Sequence, residues 1–69
     1  MFVKIHSDRG YGDQVWKVIS ENKTTREVTL QNKDKEKVVI YKAHTYNATV
    51  EEIRAVFGWP PKDEEGNPL

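Results

Sequence analysis

Residues 36–46, Glu-Lys-Val-Val-Ile-Tyr-Lys-Ala-His-Thr-Tyr, form the longest strand-like run in the chain. Drawn as one strand at about 3.3 Å per residue, this run extends about 36 Å. A compact domain of 69 residues has a radius of gyration of about 11 Å and, treated as a uniform sphere, a diameter of roughly 28 Å. The run therefore has to bend, or to divide into two strands with a bulge between them. Its side chains agree. Val38, Val39, Ile40 and Tyr41 are apolar at both parities, whereas Lys42, His44 and Tyr46 make one row opposite Ala43 and Thr45. The first half reads as buried and the second as one-sided.

Three shorter strand patterns precede it. Residues 2–7 alternate, with Val3 and Ile5 on one face; residues 14–21 are β-branched and aromatic at both parities; residues 26–32 alternate again through Val28 and Leu30. The polar breaks Asn22-Lys23-Thr24-Thr25 and Asn32-Lys33-Asp34-Lys35 are turn chemistry, and connections this short make antiparallel neighbours. Thr49-Val50-Glu51-Glu52 is a capping box that opens a helix over residues 50–57, with Val50, Ile53, Val56 and Phe57 as its apolar stripe. Gly58 is placed for a left-handed cap, and Pro60-Pro61 prevents continuation. The fold expected is mostly β (α+β). It is a small curved antiparallel sheet of four to five strands, or a partly open SH3-like barrel in which the long run is shared between two small sheets, followed by one C-terminal helix. A flat four-stranded sheet with the helix across one face is the alternative. Residues 1–61 form the single domain, and the acidic tail 62–69 is expected to be mobile.

Composition limits the chemistry. There is no cysteine, hence no disulfide framework and no thiolate metal site. Nine Lys/Arg against six Asp/Glu leave residues 1–50 with a small positive excess, which the acidic end cancels to zero overall. Binding through non-specific phosphate contacts ordinarily rests on a much larger basic excess. No window approaches the roughly 20 apolar residues of a membrane span, and the start has no basic segment before an apolar run. The reading is thus a cytoplasmic protein without membrane contact, in which Asn22-Lys23-Thr24 and Asn47-Ala48-Thr49 match the glycosylation pattern by coincidence.

The stretch Asp8 to Trp16 has the sharpest local signature. Arg9-Gly10-Tyr11-Gly12 and Trp16 resemble the octapeptide of RNA-recognition motifs at five of its eight positions. Asp13 and Gln14 break that pattern, and the eight residues before Arg9 leave no room for the strand, helix and strand that precede the motif in that family. The stretch reads instead as a strand connection in which Gly10 and Gly12 supply positive φ. Gly10-x-Gly12 leads into a strand and so is no phosphate loop. Ser7 and Ser20 lack a nucleophile context, and His6 and His44 lack metal-ligand spacing on one element, although they approach one another if the first and last strands are neighbours. No enzyme, cofactor or metal site is expected.

What remains is recognition by surface. The candidate binding residues are Lys42, His44 and Tyr46 on the one-sided half of the long run, Arg9 and Tyr11 on the glycine-bearing connection, and Trp59. Tyr, Trp and Arg are the side chains most enriched at binding hot spots. Trp59, just past the cap glycine, is expected to fold back on the last helical turn; alternatively Trp59-Pro60-Pro61 is an extended ligand for an aromatic groove. The function expected is a small regulatory or accessory domain that docks on a protein partner, of the kind that phages and mobile elements encode. The alternative is a nucleic-acid binder using Lys4, Arg9, Lys17 and Lys42 with Tyr11 and Tyr46 as stacking groups. Oligomeric state is left open by an uncovered strand edge.

Overall fold

The long run divides. In a computed structural model that describes residues 1–62 and 65–68, strand β4 (Lys37–Tyr41) ends in a single 3-10 turn, Lys42–His44, and strand β5 (Thr45–Asn47) follows at once. Before them come β1 (Phe2–Ile5), a 3-10 turn at Ser7–Arg9, β2 (Val15–Asn22) and β3 (Glu27–Gln31); helix α1 (Val50–Phe57) comes after. The five strands form one antiparallel sheet in the order β4-β3-β2-β1-β5, the small curved sheet of four to five strands expected, with one C-terminal helix after it. The radius of gyration is 11.7 Å, with extents of 33 × 23 × 18 Å, so an eleven-residue straight strand had no room.

The strand order makes the sheet curl. β4 and β5 are its two edges, which in a flat sheet lie four strand spacings, about 19 Å, apart. Three residues of 3-10 helix rise only about 6 Å. The edges must therefore converge at this end. The backbone records the crossing: Lys42 N still donates to Arg26 O beside β3 at 2.9 Å, while His6 N, at the end of β1, already donates to His44 O at 2.9 Å. A register shift between Val18 and Ser20 in β2 adds local twist. β4 and β5 do not pair, so the sheet is curved and open.

Curling encloses one face. Val3, Ile5, Trp16, Val28, Leu30 and Ile40 form the buried cluster, with Tyr11, Val18 and Val38 packed against it. Cross-strand partners share a face, and the pairs Val3–Trp16, Leu30–Val38 and Val28–Ile40 all point inward. The opposite face carries Phe2, Lys4 and Val15. Here α1 packs on the sheet, with the Phe57 ring 5.1 Å from that of Phe2 and Ile53 and Val15 both buried.

Two asparagines set the hairpins. Asn22 Oδ1 accepts from the amides of Thr24 and Thr25 at 3.0 and 3.2 Å, which lets Arg26 take φ of 64°. Asn32 is buried and fully used. Its Oδ1 accepts from the amides of Asp34 and Glu36, and its Nδ2 donates to Gln14 and Glu36. The capping box at Thr49 is present in both directions. Gly58 corrects the expectation at the other end of the helix. Its φ of 80° is positive, but its ψ of 176° is extended rather than left-handed helical. That region is essentially reserved for glycine, and it leads the chain away from the last turn. In the tail, Lys62 and Pro68 form an isolated antiparallel bridge. The expected mobility of the tail falls partly on residues 63, 64 and 69, outside the described residues.

Urea denaturation should separate these roles. Leu30→Ala should cost about 2–5 kcal/mol as a cavity in the enclosed cluster. Asn32→Ala should cost about 1–3 kcal/mol, because it strands buried polar groups. Val39→Ala, exposed on the outer face, should stay within about 0.5 kcal/mol.

Candidate functional site

The 3-10 turn and β5 hold the expected binding residues, but not as one row. With the strand interrupted after Tyr41, successive side chains no longer alternate. His44 turns toward Tyr41, ring to ring at 6.0 Å and 70°. Tyr46, on β5, turns toward His6, at 4.9 Å and 37°. β5 pairs with β1 through Lys4–Tyr46 and Ile5–Thr45, which brings His6 beside this strand. The two histidines are thus backbone neighbours whose rings have different partners. Among the described residues, no group of three His, Cys, Asp or Glu side chains could hold a metal ion.

Three concavities surround this segment. One, of about 520 Å³, lies between β5 and the β1–β2 connection, walled by Ile5, His6, Gly12, Asp13 and Tyr46. A second, also about 520 Å³, is lined by Met1, Val3, Lys42, Thr45 and Tyr46. The third, about 620 Å³, is lined by Tyr41, Ala43 and His44 with Arg26, Lys42 and Glu21 around them. Tyr46 belongs to the first two and Lys42 to the last two. Tyr46 is 43% exposed and Tyr41 55%, so each presents a large ring face at little cost in side-chain entropy. Lys42 also reaches Glu21 at 3.5 Å.

The other expected contacts are elsewhere. Arg9 is exposed on the first 3-10 turn, beside Asp8 at 3.7 Å. Tyr11 is half-buried and packs edge-on against Trp16, at 6.1 Å and 89°, over the edge of the core. Gly10 and Gly12 do take positive φ, 80° and 70°, which turns the connection back over the sheet. Trp59, which follows the extended Gly58, keeps 51% of its surface exposed.

Lys4 is removed from any exposed basic surface. It lies buried between Val3 and Ile5, and its ammonium forms ion pairs with Asp13 of the β1–β2 connection and, at 2.7 Å, with Glu52 of α1. Glu52 therefore does two things. One carboxylate oxygen closes the capping box on the Thr49 amide at 2.9 Å, and the other accepts from Lys4. The hydrogen bonds to Asp13 and then Glu52 hold the Lys4 ammonium above the usual lysine range. The bond to Lys4, followed by the Thr49 amide, holds the Glu52 carboxyl below the usual carboxylate range. The capping box marked Glu52 in the sequence, but a lysine between two core residues gave the only sign of a partner for it.

The chain matches no protein-family model, and neither the comparison with curated proteins nor that with solved structures found a match. The functional reading therefore rests on the geometry of the chain itself.

The clamp has a pH signature. A carboxyl with a depressed folded pKa contributes stability that is complete above its unfolded value and is lost as pH falls through the folded one. A lysine with a raised folded pKa contributes below its unfolded value and loses that contribution as pH rises through the folded one. Both contributions are present together between roughly pH 5 and pH 10. Urea melts taken from pH 7 down to pH 3 should show wild type losing more stability than Glu52→Gln; equal losses would mean that Glu52 is not held by Lys4.

Proposed function

We propose that this chain is a small SH3-like binding domain that acts by docking on a protein partner, not by catalysis. The SH3-like reading is supported by the strand order, the long first connection, the two tight hairpins, and the 3-10 turn between the last two strands. The partner surface is the one built on Lys42–Tyr46 with His6. The observation that carries the reading is the exposed His6–Tyr46 ring pair, because Tyr46 forms the boundary between two concavities and belongs to no buried cluster. An extended segment of a partner laid across β5 meets the His6 and Tyr46 rings on one side and Met1 and Val3 on the other, with Lys42 and Asp13 as polar contacts at the rim. A cytoplasmic accessory protein working on a larger assembly is the setting that fits.

Two observations favour protein over nucleic acid. Lys4 is buried under two carboxylates, which takes away one of the proposed phosphate contacts. Asp13, with its side chain largely exposed, puts negative charge beside the His6–Tyr46 concavity.

Recovery of partners from host lysate should fall at least about tenfold for Tyr46→Ala, the loss of one hot-spot contact. Thermal melting should change little. Equal recovery by the variant would remove this surface from consideration. Salt-sensitive binding of mixed-sequence nucleic acid at micromolar protein would overturn the preference for a protein partner.

A further inference from the structure

The outer edge of β4 is the longer of the two sheet edges, five residues against the three of β5. The hydrogen-bond pattern shows which of its groups are turned outward. Asn32 N donates to Glu36 O, and Lys42 N donates to Arg26 O, so residues of even number along this strand bond inward to β3. In an antiparallel ladder the direction alternates residue by residue. Lys37 and Val39 therefore direct both N–H and C=O to the open edge, and Tyr41 directs its N–H there, its C=O being the first acceptor of the Lys42–His44 3-10 turn. Among the described residues, none of the backbone bonds outside the strands and helices involves these three. Their side chains share the outer face, where Val39 is 61% exposed, and helix α1 packs over β1 and β2 and leaves them uncovered.

We infer that the β4 edge pairs with the β4 edge of a second copy, antiparallel and centred on Val39, to join the two sheets into one. The register follows from the sequence of the edge. Centred on Val39, Lys37 faces Tyr41 of the partner, Val39 faces Val39 and Tyr41 faces Lys37, with both backbone hydrogen bonds exchanged at Val39–Val39 and Tyr41 N–H donating to Lys37 C=O at each flanking pair. On the same face valine meets valine, and each lysine meets a tyrosine ring. Just beyond the strand ends Glu36 comes opposite Lys42, so the charges are complementary at both ends. Shifting the centre to residue 38 or 40 leaves one outward residue outside the paired strands and loses the Glu36–Lys42 match. The chain has zero net charge, so no long-range repulsion opposes a second copy. This interface meets the Tyr46 surface only at Lys42, and the pairing of the β4 edges does not depend on Tyr46.

Sedimentation equilibrium of the full chain between roughly 1 μM and 1 mM should show a dimer that grows with concentration. Val39→Glu, which sets like charges opposite one another, should abolish it, and Tyr46→Ala should leave it unchanged. The absence of cysteine permits a direct check of register. With a short bis-maleimide, Val39→Cys should cross-link to itself at least about tenfold faster than Lys23→Cys on the β2–β3 turn. Lys37→Cys and Tyr41→Cys should cross-link faster when mixed than either does alone. A monomer at every concentration, a dimer indifferent to Val39→Glu, or cross-linking no faster than the Lys23→Cys control would each overturn the inference. A monomer in which Val39→Glu loses a partner protein would assign the edge to a foreign strand and overturn it as well. Should Val39→Glu fail to fold, the cross-linking of the cysteine variants still decides.

Discussion

Three residues join the two edges of this sheet, and most of the molecule follows from that short connection. A flat sheet in the order β4-β3-β2-β1-β5 would separate β4 from β5 by far more than one 3-10 turn can span. The sheet is forced to curl, and curling encloses the face that carries Trp16, Leu30 and Ile40. A chain of this length has few apolar residues to spend on a second layer. By folding one face onto itself it obtains a core without the helix, and the helix is left to cover part of the other face.

The same connection creates the candidate site. Because the chain must leave the β3 side at Lys42 and join β1 by His44, it turns sharply, and its aromatic side chains cannot all lie in one row. Tyr41 and His44 face one concavity and Tyr46 with His6 another. The Lys4 clamp works on the opposite problem. It ties the glycine-bearing connection and the N-terminus of α1 to β1, so that three segments with little contact of their own share one buried ammonium. The connection that walls the His6–Tyr46 concavity is thereby held at Asp13, next to the site.

Local signals were legible where the physics is local. The capping box gave α1 its start, Asn22 and Asn32 gave the hairpins, and the positive φ of Gly10 and Gly12 followed from their place in a connection. The division of residues 36–46 followed from length alone. What escaped was pairing over distance. The packing of Tyr11 on Trp16 is one case, because nothing in its neighbourhood shows that Trp16 would lie beneath it. Lys4 looked like a free cation because its partners are 9 and 48 residues away. Gly58 was expected to turn left-handed, and whether a cap glycine does so depends on where the following chain is led.

The sequence by itself determined the mostly β class, the helix boundaries, the turn positions and the need for the long run to break. Each of these rests on periodicity, turn chemistry or chain length, which act within a few residues. Only the tertiary structure decided which side chains meet: that Lys4 is buried between two carboxylates, that Tyr11 packs on Trp16, that Tyr46 pairs with His6, and that the open edge of β4 presents Val39. Those outcomes depend on the order of strands in the sheet, and strand order is set by how the whole chain closes around one small core.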